Sequence, residues 1–241
     1  MRDYAKKIAL VIAITFFLLS SCATDGNNRS SKDKANGFYS LGLAMLHDKD
    51  LKGAYTEFNK ALDIEPSNVK YLNALGLVYI EIQNYDKATE SFLKAVNIDK
   101  EFSEGYNNLG ITYAKIKIWD KAIEAFQNAL KNPFYQTPYI ALSNIGLSYY
   151  RKGDHDKAIE YYNEAIIKSQ EFSAPYYGIA LCKNMQNKYD EAHESLVQAI
   201  NLDSEFNGDI QKAIKLFNDK KRYAKDIDLQ DYTDYIDILH Y

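Results

Sequence analysis

Proline is nearly missing from this 241-residue chain, with four in all. Each proline removes a backbone donor and clashes inside a helix, so the shortage leaves the chain free to be helical almost throughout. Basic charge shows no excess: 29 Lys and Arg stand against 33 Asp and Glu, a net of −4. No basic patch stands out, which argues against nucleic acid as a partner. The one long apolar run, Ile8 to Leu19, is twelve residues, too short to span a bilayer as a helix. There is no glycine-rich phosphate loop, no Gly-x-Ser-x-Gly and no His-Glu-x-x-His. The four histidines (His47, His155, His193, His240) are scattered. Asp154, His155 and Asp156 adjoin, but in a turn where they face different ways, a poor metal site. The aspartates of the C-terminal end lack the central glycine and terminal glutamate of a calcium loop. An enzyme, a cofactor and a bound metal are therefore not expected.

What is present is a repeat. Small residues recur at Gly42, Gly76, Gly110, Gly146 and Ala180, in steps of 34, 34, 36 and 34. Twelve places after each comes Ala54, Ala88, Ala122, Ala158 or Ala192. A period of this length predicts stacked helical hairpins rather than one globular core. Within residues 69–102, Leu72, Leu75, Gly76 and Tyr79 make one helical stripe, and Ala88, Phe92 and Ala95 a second. Gly76 and Ala88 allow close approach of the two backbones, with Tyr85 and Phe92 filling space toward the next hairpin. The phase continues through Ile210, Ala213, Ile214 and Phe217, a capping helix over 207–222 that closes an open stack. The end, 223–241, is acidic, and Leu229, Tyr232, Ile236 and Leu239 give it a weak helical stripe. Partial docking of this tail on the stack is expected.

These positions resemble the tetratricopeptide repeat, whose signature is bulky–Leu–Gly–Tyr, then Ala–Phe–Ala, then Pro. Five copies are expected: 35–68, 69–102, 103–136, 139–172 and 173–206. The resemblance implies an all-α fold, a right-handed superhelical solenoid of helix-turn-helix repeats. It also implies a concave groove that holds a partner protein. On the side opposite the packing stripe lie Tyr39, Leu43, Asn73, Leu77, Asn107, Ile111, Lys115, Leu147, Tyr150, Arg151, Tyr177 and Leu181. Asn108 and Asn144 lie at its edge, where the resemblance implies a bond to a ligand backbone. The leucines and Ile111 also read as packing residues, and Lys115 and Arg151 as a solvated face. An apolar or amphipathic peptide suits such a lining. Permanent closure of this flank by the chain's own tail would remove the docking reading.

The start is different in kind. Arg2, Lys6 and Lys7 precede the apolar run, and Leu19-Ser20-Ser21-Cys22 follows it. This order resembles a bacterial lipoprotein signal peptide over 1–21 with its lipobox. The resemblance implies cleavage before Cys22 and lipidation of its thiol, then a flexible tether over 22–34. Several acyl chains would anchor the protein firmly, at the outer membrane facing the periplasm. Cys182 would be the one remaining thiol, so no internal disulfide is expected. It reads as a small buried filler.

The 36-residue step holds an insertion, Asn132-Pro133-Phe134-Tyr135-Gln136-Thr137-Pro138. Both prolines disfavour helix just before them, so a longer loop with two exposed aromatics is expected. Asn132, Pro133, Tyr135, Pro138, Asn144 and Gly146 resemble the pilotin family, lipidated repeat proteins that assist assembly of type IV pilus secretins. That resemblance implies a secretin subunit as partner. A general scaffold recruiting other envelope proteins is the alternative.

Overall fold

The structure is a computed structural model that describes residues 30–241. Residues 1–21, expected as a signal peptide, and Cys22 lie outside the described residues. Helix α1 covers 30–47 of them. It is followed by α2 (Leu51–Ile64), α3 (Val69–Glu81), α4 (Tyr85–Ile98), α5 (Ser103–Lys115) and α6 (Trp119–Ala129). Then come α7 (Pro138–Arg151), α8 (His155–Lys168), α9 (Ala174–Met185), α10 (Tyr189–Leu202), α11 (Ile210–Lys221) and α12 (Asp226–His240). No strand occurs among the described residues, and no helix among them is long and apolar enough to cross a membrane. The chain divides into one unit ending at Ile98, with hairpins α1–α2 and α3–α4, and a second beginning at Asp99, with α5–α6, α7–α8, α9–α10 and the final two helices.

Residues 30–34, expected as tether, belong to α1. Their polarity is that of a solvated helix face: residues 31–34 are exposed, while Ala35 behind them is fully buried against Tyr71.

Each hairpin turns the same way. The second residue after the first helix takes the left-handed backbone at Lys49 (φ 63°), Gln83 (59°), Lys117 (60°), Gly153 (82°) and Asn187 (59°). The next residue immediately precedes the second helix, and there Asp50, Asn84 and Asp154 accept a hydrogen bond from the amides of Gly53, Lys87 and Lys157. A Cβ makes the left-handed conformation costly, and glycine relieves that cost at some expense in unfolded-chain entropy. Gln83→Gly should therefore raise stability, by about 0.5–1 kcal/mol. Urea denaturation measures this; a lower midpoint would show that the Gln83 side chain supports the turn.

The core repeats a small–aromatic–small unit. Ala54, Ala88, Ala122, Ala158 and Ala192 are fully buried, as are Ala61, Ala95, Ala129, Ala165 and Ala199. Between them lie Phe58, Phe92, Phe126, Tyr162 and Leu196, all 0–2% exposed. Burying a side chain of this size stabilises by about 1.5–3 kcal/mol. The aromatic serves the next hairpin as well as its own: Phe58 shares a cluster with Ala74, Leu75 and Val78, and Phe126 one with Ala141 and Ile145. Within its own hairpin it lies on the glycine: a Cβ at Gly76 would meet Phe92 Cε1 at 2.5 Å, and one at Gly110 would meet Phe126 Cε1 at 2.5 Å. The glycine is small because the ring takes the space of its side chain.

Two departures fit this geometry. Where the ring is replaced by Leu196, the partner position is Ala180 and tolerates a Cβ. Where Phe becomes Tyr162, the extra hydroxyl reaches the following hairpin at Gly178, whose Cβ would lie 2.2 Å from Tyr162 Cζ and 2.5 Å from its oxygen.

Candidate functional site

The groove residues of the first unit divide by exposure. Leu43 is 40% exposed. Asn73 and Leu77 are half-buried. Tyr39 is a packing residue, its ring centroid 4.9 Å from that of Tyr71 and 5.9 Å from that of Phe58.

In the second unit the lining is open over one stretch. Ile111, Lys115, Asn144, Leu147 and Arg151 border a cavity of about 700 Å³, with Trp119 and Phe126 among its walls and residues 223–226 and Asp228 along one side. Leu147 is 38% exposed. Ile111 and Asn144 are half-buried, and Lys115 and Lys117 stand exposed with no ion pair among the described residues. Asn108 is half-buried nearby on α5. The stretch offers apolar contact, an amide and two free cations, which together suit an amphipathic peptide bearing acidic groups.

Two expected lining residues are not on this surface. Asn107 is 8% exposed, with its Oδ1 buried and unpaired, and Leu181 is 2% exposed. A helix between neighbours buries more than one stripe, so residues read as the free side fall into a second packing face.

Tyr150, Arg151 and Tyr177 are not free either. The acidic tail forms α12, which packs against α9, α10 and α11 and covers them. Arg151 donates from Nη1 to Asp231 Oδ1 at 3.0 Å and from Nη2 to Asp231 Oδ2 at 2.6 Å. The Tyr150 hydroxyl donates to the same Oδ1 at 3.0 Å. The Arg151 and Asp231 side chains are 12% and 13% exposed. Burial, then the Asp231 charge, raises the Tyr150 phenol above its ordinary range. Tyr177 donates to Asp203 at 3.1 Å and sets its ring 5.6 Å from Tyr235. Ile236 and Ile238 join the core formed by Leu196, Ile200 and Phe217. Asp234 is buried; its Oδ1 accepts from Gln230 at 2.8 Å, its Oδ2 has no partner, and burial raises its carboxyl above the usual range. Of the expected tail stripe, Tyr232, Ile236 and Leu239 pack inward, while Leu229 is 39% exposed. The inward carboxylates Asp231 and Asp234 were missed, and an arginine at the end of a groove helix is the signal that would have found them. The groove is thus closed by its own tail over Tyr150, Arg151 and Tyr177, and open from Ile111 to Leu147.

The insertion 132–138 is more ordered than expected. Asn132 donates from Nδ2 to the Glu101 carbonyl and accepts from the Phe134 amide, both at 2.9 Å. Pro138 is the first residue of α7 and Pro133 is exposed. Of the two aromatics only Phe134 is exposed, at 81%; Tyr135 is 9% exposed and packs with Ala122, Phe126 and Ile145. The Tyr135 amide donates to the Asn132 carbonyl at 3.2 Å, closing a turn that leaves Phe134 outside and Tyr135 against the core. His155 begins α8, and the described residues hold no cluster suited to a metal. Cys182 is the buried filler expected, its thiol pushed up to about 12 by burial.

Comparison with known proteins gives concordant results. Family models of the tetratricopeptide repeat match residues 139–171 and 76–117. The mitochondrial import receptor subunit TOM34 of Rattus norvegicus is 39% identical over 62 residues, which is 26% of this chain; the chain spans only 20% of that protein's length. Among solved structures, MamA is 31% identical with a TM-score of 0.59, over 67% of this chain and 94% of its own. PilW, a type IV pilus biogenesis factor, is 22% identical with a TM-score of 0.65, over 81% of this chain and 96% of its own. At that identity PilW shares the fold.

Proposed function

We propose a docking role in the cell envelope for this chain, which belongs to the tetratricopeptide-repeat family: it is a protein–protein interaction scaffold, and its partner is a secretin subunit whose assembly it assists. The observation that carries this reading is the open cavity of about 700 Å³ between Ile111 and Leu147. A secretin subunit before assembly presents apolar surface and unpaired strand edges, and the apolar, amide-bearing cavity has the chemistry to shield them. The fold shared with PilW and the Asn132–Pro138 segment support the pilus assignment. The lipobox Leu19-Ser20-Ser21-Cys22 supports a lipid anchor on Cys22 at the outer membrane, facing the periplasm.

Deletion of the gene should abolish secretin multimers on a denaturing gel, and normal multimers would remove the assignment. Cys22→Ala should release the chain from membranes and stop its labelling by palmitate. Leu147→Asp and Ile111→Asp each place a carboxylate in the apolar stretch, and should weaken partner binding about tenfold or more. Circular dichroism should stay at the wild-type level. Unchanged affinity in both variants would place the docking surface elsewhere.

The second reading is a general adaptor that recruits other envelope proteins. It is favoured by the lining of the cavity, whose apolar, amide and cationic groups are not particular to a secretin. Crosslinks from position 147 to envelope proteins other than a secretin would select it.

A further inference from the structure

Helix α12 sits in the groove as a foreign peptide would. Its buried face presents Asp231, Asp234, Tyr235, Ile236 and Ile238, and two carboxylates among the apolar groups are unusual for a helix belonging to a core. Asp231 satisfies Arg151 and Tyr150, and Tyr235 enters the aromatic group of Tyr177 and Phe217, 5.6 and 5.2 Å between centroids. The seat is specific without being strongly favourable. A buried ion pair roughly breaks even against its desolvation, and Asp234 Oδ2 is buried with no partner. The helix has no side-chain N-cap, and its first residue, Asp226, takes a φ of 50°. A connection of only residues 222–225 holds α12 beside its seat. So short a tether gives an effective concentration on the order of millimolar, which fills even a weak site.

The seat is also continuous with the open stretch. Asp226 and Asp228 border the cavity that contains Leu147 and Lys115. A longer helix lying along α12 would run on into that cavity, which α12 cannot do because the chain turns back there to α11.

Building on the docking role above, we propose that α12 is a tethered stand-in for the partner. The groove receives an acidic amphipathic helix of the pattern Asp-x-x-x-aromatic-x-x-aliphatic, and α12 yields its place to it. The partner's carboxylate takes the Arg151–Tyr150 pair, its aromatic residue takes the place of Tyr235, and its N-terminal extension fills the cavity.

The test uses the full chain and a fluorescein-labelled peptide of residues 226–241. Asp231→Lys in the chain sets Lys against Arg151 and expels α12. The peptide should then bind at least tenfold tighter than to the wild-type chain, and a peptide carrying the same Asp231→Lys change should not bind. Equal binding to both chains, with helicity retained, overturns the proposal. Should the variant not fold, hydrogen exchange on the wild-type chain decides. Amides of α12 exchanging at least 100-fold faster than those of α9 and α10 support a displaceable helix, and equal rates make it a permanent part of the core. Concentration-dependent dimers that Asp231→Lys abolishes would make the occupant a second copy, and overturn the proposal as stated. If wild-type and Asp231→Lys chains capture the secretin subunit equally, the stand-in fails while the docking role stands. If neither captures it, the secretin docking role itself falls.

Discussion

Replacing Phe126 by alanine should lower stability by about 3–5 kcal/mol. The ring is 1% exposed and occupies the place where Gly110 would carry a side chain. Removing it opens a cavity between two helices that alanines already bring close. The reverse insult is also costly: a Cβ at Gly110 would lie 2.5 Å from Phe126 Cε1, and Gly110→Ala should cost about 1–3 kcal/mol through overpacking. The informative variant combines Gly110→Ala with Phe126→Leu, copying the Ala180–Leu196 pair of the fifth hairpin. The added methyl then fills part of the space that the ring vacates. The double variant should be more stable than the sum of the two single losses predicts, by about 1 kcal/mol or more. Denaturant midpoints for the four proteins of this cycle measure it. Strict additivity would show that the pairing at Ala180 and Leu196 is coincidental.

Arg151→Ala should detach α12. It leaves Asp231 buried with only the Tyr150 hydroxyl as a full partner, where an uncompensated buried charge costs about 3–5 kcal/mol. That cost exceeds what a singly tethered helix without an N-cap can withstand, so the expected result is local release instead of unfolding. Limited proteolysis should cut between residues 222 and 241, and helicity should fall by no more than the fifteen residues of α12. The charge swap Arg151→Asp with Asp231→Arg should restore part of the protection. Resistance of α12 in the single variant would mean that Ile236 and Ile238 hold it without the ion pair.

The repeat was legible in sequence because its logic is local. Gly110, Ala122 and Phe126 meet within one hairpin, so their spacing carries the contact. The seat of α12 was not legible to the same degree. Arg151 and Asp231 are 80 residues apart, and no period links them. The tail's apolar stripe announced a helix, but the stripe cannot say which groove receives it. Leu147 and Leu43 are exposed, as a place opposite the packing stripe implies. Reading failed for Asn107 and Leu181, because burial in a stack depends on neighbours from other repeats. Tyr135 and Phe134 are adjacent and chemically alike, and only the turn made by Asn132 decides which goes inward. The polar start of α1 shows the converse, since composition alone does not separate a solvated helix from a tether.

The hydroxyl of Tyr162 has a consequence for the order of the modules. It reaches out of its own hairpin and needs the bare backbone of Gly178. One, two and three repeats earlier the matching sites hold Asn144, Asn108 and Ala74, each with a side chain. The fourth hairpin therefore needs a successor with glycine at this site, and shuffling or duplicating it elsewhere in the array would fail at that junction.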